Sequence, residues 1–450
     1  MRKAAFSGRI LGITLLAGLS GPTMANMDHS SSLYGVLPSD IASAQAFSLF
    51  NTQVSSVFYN PASMARDERG ELTGGLLHAE HDLEAKSQGG DDPNEDRDRT
   101  INDTPSQQVL LGMKTDISRI FTFDKPVHFG LMLGIEKFGQ ELVAFHSESS
   151  REPQYLRYDR QPMFLSLGLG TNIWRGLDGG ISAHISLHNE AELDFFTDDL
   201  SEQTTQRERL EISTEPLVQP IAGLTLNWGE TFCELEDCWL DNLDTALAFR
   251  AHTYARTHVD TRPDVDILVD DMHFTFRTID SFQPATWSAG VKYDFGRYRL
   301  GLAVERREWS RLEKSLERDD VKTDEEGEQH VRLDDIWVPR VGVEYDLNEW
   351  IMLSGGVAYQ ESPLEKAEMP DVNYLDNDRV IIGLGASALF ENFPLVDWPV
   401  ELNFGYQYHR LDERDFELST EEGGSPAGPH ETVTADGDVH VFSGSFTVRF

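Results

Sequence analysis

The sequence predicts an all-β chain: a 14-stranded antiparallel transmembrane β-barrel with an N-terminal plug in its lumen. Three observations predict it. Segments of alternating apolar and polar residues recur from about Glu71 to the end. The final segment puts Phe442, Phe446, Val448 and Phe450 on one face, with Ser443, Ser445, Thr447 and Arg449 on the other. Mean hydropathy is negative, and beyond the N-terminus no run of 18 apolar residues occurs. A barrel needs no such run, because only every second residue of a strand meets lipid.

Residues 1–25 read as a secretory signal. Arg2, Lys3 and Arg9 form a basic start, Ile10 to Leu19 a short apolar core, and Thr23-Met24-Ala25 a small-residue cleavage point. The apolar stretch is too short to serve as a membrane anchor. Residues 26–69 carry small and polar residues with scattered apolar ones (Leu33, Ile41, Phe47, Phe50, Val57, Phe58) and no strand alternation. Such a segment suits the inside of a wide barrel.

Residues 70–450 form the barrel. The alternation places its strands at about 70–86, 105–117, 126–149, 161–173, 176–196, 207–228, 243–258, 284–295, 297–313, 334–346, 350–361, 378–391, 397–412 and 437–450. Ile267 to Ile279 also alternates. As a lone extra strand it would make the count odd, so it is assigned to a hairpin arm in the outer loop after the seventh strand. Connections alternate in length, as an outer-membrane barrel requires. Asp294 to Arg297 and Asp346 to Glu349 are tight turns, whereas 89–104, 311–330 and 412–436 are long and acidic.

The formal charge of −39 excludes nucleic acid as a partner. So many carboxylates must stay wet, in outer loops or a lumen. Solvation explains them; bridging to lipopolysaccharide through divalent cations is a second reading. Cys233 and Cys238, with four residues between them in an exported chain, read as a local disulfide at the periplasmic end. No soft ligands cluster near them, so no metal site is expected. Asp92, Asn94, Asp96 and Asp98 alternate like a calcium loop but lack its glycine and closing glutamate. No cofactor motif is present.

In the seventh strand Arg250, His252, Tyr254, Arg256 and His258 share a face. Arg250, His252 and Arg256 are candidate contacts for a ligand carboxylate. The competing reading pairs this row with lumenal acids such as Glu305 and Glu344. Arg307 and Arg340 are weaker candidates of the same kind. Enzyme chemistry is not expected: neither a Gly-x-Ser-x-Gly elbow nor a His-Glu-x-x-His motif occurs. An outer-membrane lipase would lose lipid hydrolysis on a single Ser or His substitution. An open porin for small polar solutes would show large steady conductance.

Several ordered motifs resemble the FadL family of outer-membrane transporters for long-chain fatty acids and other hydrophobic compounds. Asn60-Pro61-Ala62 is similar to the Asn-Pro-Ala of the family's N-terminal hatch. Phe138-Gly139 is similar to the Phe-Gly where its third strand is interrupted, although Lys137 departs from the pattern. Trp309-Ser310, the stretch Arg340 to Tyr345, Trp350, Gly356, Tyr359, Ser362-Pro363 and Asp376 to Arg379 follow its late strands. The resemblance implies a Gram-negative outer-membrane protein in which a hydrophobic ligand is captured at the outer loops. It then leaves sideways into the membrane through a gap at the third strand once the hatch moves. Gly139 lets a ladder break at little steric cost; a glycine that merely accommodates curvature is the alternative. Asn60-Pro61 is likewise an ordinary turn initiator unless its place in the plug gives it a role.

Overall fold

The computed structural model describes residues 30–87, 105–121, 123–137, 141–145, 154–160, 163–188, 190–198, 205–213, 216–233, 238–261, 274–312, 333–364, 372–373, 377–394, 396–417 and 432–450. Fourteen antiparallel strands close into a barrel. They are β1 (Glu71–Ser87), β2 (Ser106–Asp116), β3 (Val127–Lys137), β4 (Met163–Trp174), β5 (Leu177–His188), β6 (Leu217–Asn227), β7 (Leu243–Arg250), β8 (Ala285–Asp294), β9 (Tyr298–Glu308), β10 (Ile336–Asp346), β11 (Ile351–Gln360), β12 (Arg379–Phe390), β13 (Val400–Glu417) and β14 (Thr432–Arg449). Each pairs with its sequence neighbours, and β1 closes on β14 from Glu71–Arg449 to Ser87–Val433. Phe450 exchanges backbone hydrogen bonds with Gly70 at 2.8 and 2.9 Å, so the last residue seals the first strand.

The burial pattern is inverted relative to a water-soluble barrel. On β2, Val109 and Leu111 face outward and are 52% and 62% exposed, while Gln108 and Lys114 face inward and are 2% and 0% exposed. An exposed apolar outside is stable only in lipid. Exposed aromatic residues mark its edges. Trp174, Trp239, Phe295, Trp350, Trp398 and Phe450 cluster at the short-turn end, and Trp287 and Trp337 near the other. The tight turn after β8 needs Gly296 at φ +91°, a conformation costly for any residue with a Cβ.

Polar inward residues are buried because residues 32–64 occupy the space they face. Nearly all of this segment is buried; Ser39, Asn51 and Thr52 are half-buried. It folds as short turns: α1 (Ser30–Leu33), α2 (Pro38–Ala42), a 3-10 turn at Ser48–Phe50, α3 (Ser56–Tyr59) and a second 3-10 turn at Pro61–Arg66. The α2 helix ends in a Schellman motif. Gln45 N–H donates to Asp40 O at 2.7 Å and Ala44 N–H to Ile41 O at 3.1 Å. Ala44 and Gln45 adopt φ of +48° and +65°, where glycine is usual. Ala44 accepts that strain while its methyl packs with Ala358 and Ile381.

Several wall strands are shorter than the alternation predicted. The third leaves the barrel after Lys137, the fifth after His188 and the seventh after Arg250. Their continuations build sheets beyond the wall. Glu141–Phe145, Gln154–Arg160, Glu190–Asp198, Thr205–Ser213 and Val372–Asn373 form a five-stranded sheet. Thr253–Thr261 pairs with Phe274–Gln283. The second pair overlaps the expected hairpin arm, shifted a few residues later. Period two continues across the ends of the fifth and seventh strands, so alternation alone does not reveal where those strands quit the barrel.

Candidate functional site

The N-terminal segment meets the wall through three groups of contacts. The first is built on Asn60-Pro61-Ala62. Pro61 opens a 3-10 turn, where its missing N–H costs nothing. The buried Asn60 side chain accepts from Ala62 N–H at 3.2 Å. It donates to Leu49 O and to Thr225 Oγ1 of β6, both at 2.9 Å. The motif thus caps its own turn and ties it to the wall. Close approach depends on Gly180 of β5 and Gly223 of β6. A Cβ on Gly180 would overlap backbone atoms of Pro61 and Ala62, and one on Gly223 would overlap the Asn60 amide.

The second group lies near the periplasmic end. Lys114, fully buried on β2, donates from Nζ to Thr52 O at 2.8 Å and Asp67 O at 3.2 Å. Glu71 accepts from Val54 N–H, and Arg449 pairs with both Glu401 and Asp67. Burial pushes the Asp67 carboxyl up, but hydrogen bonds from Arg69 and the Lys114 ammonium outweigh it and hold the group at about 2. Asp67 therefore stays charged at any physiological pH. Farther along, Arg66 bridges Asp178 and Glu230.

The third group is central. Arg250, Arg307 and Arg340, from β7, β9 and β10, surround Glu305 at 3.5, 3.1 and 3.1 Å, all four buried. Arg340 donates to Ala44 O at 2.9 Å and Arg307 to Ser32 O at 3.3 Å, which fixes the strained turn and the start of the segment. The Arg250 guanidinium stands 4.8 Å from the Phe58 ring centroid. Three cations share the Glu305 carboxylate here, beside the segment.

The structure separates the residues that the seventh strand was expected to align. Arg250 is in the wall and paired with Glu305, as the competing reading held. His252 lies past the strand end, exposed, with Arg311 Nη1 donating to its Nδ1 at 3.3 Å. Burial and then the Arg311 charge hold its imidazole below the ordinary value, so at neutral pH it brings no charge to a carboxylate. Arg256 falls in the outer hairpin. Glu344 pairs with Arg299 at 2.7 Å instead. Cys233 and Cys238 are joined by a disulfide at the β6–β7 connection. With Asp241 they are the only trio of metal-ligating type close enough together among the described residues, and bonded sulfurs are poor ligands. The acidic run 92–98 lies outside the described residues.

Phe138 and Gly139 also lie outside the described residues. The pairing on either side of them is informative. Ile135 pairs with Met163, and Glu141 pairs with Tyr158. Six residues advance on one strand against five on the other. The wall ladder and the outer sheet therefore differ in register by one residue. Below it, pairing from Val127–Thr171 to Ile135–Met163 is unbroken.

Sequence reading missed Lys114, Glu71, Thr225 and Gln407, which holds Ile41 O at 3.1 Å. Their signal was present: each is a polar residue on the inward row of a strand. Which of them meets the N-terminal segment depends on register around the whole barrel.

A closed barrel with a lipid-facing wall and an inward row committed to a folded N-terminal segment defines an outer-membrane transport protein. Comparison gives the family. The model described as "Outer membrane protein transport protein (OMPP1/FadL/TodX)" matches residues 278–450. Alkane uptake protein A of Marinobacter nauticus is 42% identical over 99% of this chain and 97% of its own. The fold is shared with a Pseudomonas aeruginosa FadL homologue (TM-score 0.62, 16% identity, 96% of this chain and 99% of that one). It is shared too with the P. putida toluene transporter TodX (TM-score 0.56, 13% identity, 93% and 99%). The chain belongs to the FadL/TodX family of transport proteins in the Gram-negative outer membrane.

Proposed function

We propose that this protein takes up long-chain hydrocarbons and related hydrophobic compounds, fatty acids among them, and passes them sideways into the outer membrane. The observation that carries this reading is the likeness to Alkane uptake protein A along almost the entire chain. The filled lumen supports it: a porin for polar solutes needs a continuous water path, and here the inward rows hold the N-terminal segment. Residues 26–69 act as the hatch, after removal of a leader at 1–25. The one-residue difference in register between the β3 ladder and the outer sheet supports lateral exit at the outer end of β3, where Phe138-Gly139 falls. The guanidinium groups gathered around Glu305 suit a ligand with an acidic end, and Arg250 belongs to that cluster. Arg256 would act earlier, in the outer hairpin, whereas His252 brings no charge to it. Lipopolysaccharide bridged by cations to the acidic loops is a further partner of this reading. The protein carries cargo and catalyses no reaction.

The test is uptake by a deletion strain complemented with this chain, using radiolabelled hexadecane, oleate and a polar control such as glucose. Hexadecane uptake should rise at least tenfold over the empty strain, with glucose unchanged. Faster glucose entry and unchanged hexadecane would favour a porin.

A further inference from the structure

One ladder of the barrel wall is interrupted within the membrane. β10 and β11 pair from Asp346–Met352 to Arg340–Ala358 and stop there. A membrane-spanning strand needs about 9–11 residues, and only seven of β10 are paired with β11. The break therefore begins below the outer edge of the apolar band. Both neighbouring ladders run past this level: β9 pairs with β10 as far as Arg307–Ile336, and β11 with β12 as far as Gln360–Arg379. Contact between β10 and β11 resumes farther out, where Asp334 N–H donates to Pro363 O at 2.7 Å and Leu333 bridges to Leu364. Arg340 to Leu333 is seven residues and Ala358 to Leu364 is six, so the strands meet again one residue out of register. Among the described residues, Asp335 to Pro339 make no ladder pair with β11. That leaves roughly 15 Å of wall without cross-strand pairing, at about 3.3 Å per residue.

Pro339 sits at the break. Proline has no N–H to donate, and in sheets it is confined to positions where no partner strand calls for one. Its pairing with Val304 of β9 is intact, so the side left open is the one toward β11. Freed backbone groups are costly in lipid and tolerated where they line a cavity. The side chains around the break are apolar on both faces. Trp337 and Pro339 are exposed on the lipid side. Ile336 and Val338 are buried on the inner side, with Leu333 and Leu364 buried just beyond. Below the break the inward row turns charged at Arg340, the last residue that the ladder pairs. Its Nη1 donates to Ala44 O and its Nη2 to Glu305. Its Nε is buried and has no hydrogen-bond partner among the described residues. Such an N–H suits a carboxylate. β10 is seven strands from β3 in a ring of fourteen, so the break lies across the barrel from β3.

We propose that the β10–β11 break is a second lateral opening, through which aliphatic chains with an acidic end leave the lumen for the outer leaflet. The proposal deepens the uptake reading and rests on it. The acidic end is held at Arg340. The acyl chain lies against Ile336 and Val338 and passes beside Pro339 into lipid. A hydrocarbon without an acidic end gains nothing from Arg340, so the two classes of cargo differ in where they leave.

The experiment compares two cysteine pairs in the full-length protein, in the complemented deletion strain. Val338→Cys with Gln360→Cys joins the strands across the break, in the register the wall ladder would keep if it continued. Val341→Cys with Val357→Cys joins the same strands where they already pair. Mass spectrometry verifies each bond. Uptake of radiolabelled oleate relative to hexadecane should fall about tenfold when the first pair is oxidised and recover on reduction. For the second pair the ratio should stay within twofold throughout. An unchanged ratio with the first bond formed, or an equal fall for both pairs, would overturn the opening. Wild-type uptake of both compounds no greater than the empty strain's would instead refute the transport reading itself. Should the first bond not form, wild-type protein labelled with a diazirine-bearing fatty acid gives the answer. Adducts should fall on Ile336, Val338 or Leu364; adducts confined to other parts of the chain would overturn the proposal.

Discussion

Planar bilayers holding a Gly180→Val protein should pass steady ion current, where wild-type bilayers stay silent. At Gly180 the wall lies against Asn60-Pro61-Ala62, and any Cβ there overlaps backbone atoms of Pro61 and Ala62. Backbone cannot swing aside as a side chain can, so the turn must move. Moving it breaks the Asn60 bonds to Leu49 and Thr225 and the Ser182 Oγ bond to Val57 O at 2.6 Å. Overpacking of this kind costs about 1–3 kcal/mol. The barrel ladder does not depend on the segment, so the cost should appear as displacement of the segment. A silent Gly180→Val channel that is folded by heat-modified mobility would show that the lumen stays shut without this contact.

Glu305→Gln should be the most destabilising single substitution in the lumen. It keeps the shape and removes the one carboxylate that, among the described residues, Arg250, Arg307 and Arg340 share. Breaking a buried ion pair by removing one partner costs about 3–5 kcal/mol, because the remaining charge is left uncompensated. Here three like charges are left together. The midpoint of urea unfolding in lipid vesicles reads the loss. Adding Arg340→Met to Glu305→Gln should recover part of it, since one of the repelling cations is gone. Recovery will be incomplete, because Arg340 also holds Ala44 O at the strained turn. A Glu305→Gln protein as stable as wild type would mean that the cluster is wet and contributes little.

Much of this was legible in the residues. Alternation counted the strands, because each has one face in lipid and one facing inward, and the Asn-Pro-Ala motif marked a turn that the wall does clasp. The failures share one cause. Ile181, Ala183, Ile185 and Leu187 keep a single period of two, yet Phe164 pairs with Ser186 and Met163 with His188, so the register shifts at Leu187 without a trace in the alternation. Likewise Arg250 and Arg256 are in phase in sequence, but β7 ends at Arg250. Bulges and strand departures leave period two intact, so they show only in the pairing. The Glu305 cluster was legible as charged inward residues, but not as a cluster, since β7, β9 and β10 bring it together.

The most direct test of a hatch-gated path is to lock the hatch. A Cβ on Gly112 of β2 stands 3.2 Å from the Cβ of Val54, near the roughly 3.5–4.5 Å that a disulfide spans. In a Val54→Cys, Gly112→Cys protein, radiolabelled hexadecane uptake should fall to the level of the deletion strain when the bond is oxidised. Reduction of the same cells should restore it. Equal uptake before and after reduction, with the bond verified by mass spectrometry, would contradict gating by the N-terminal segment.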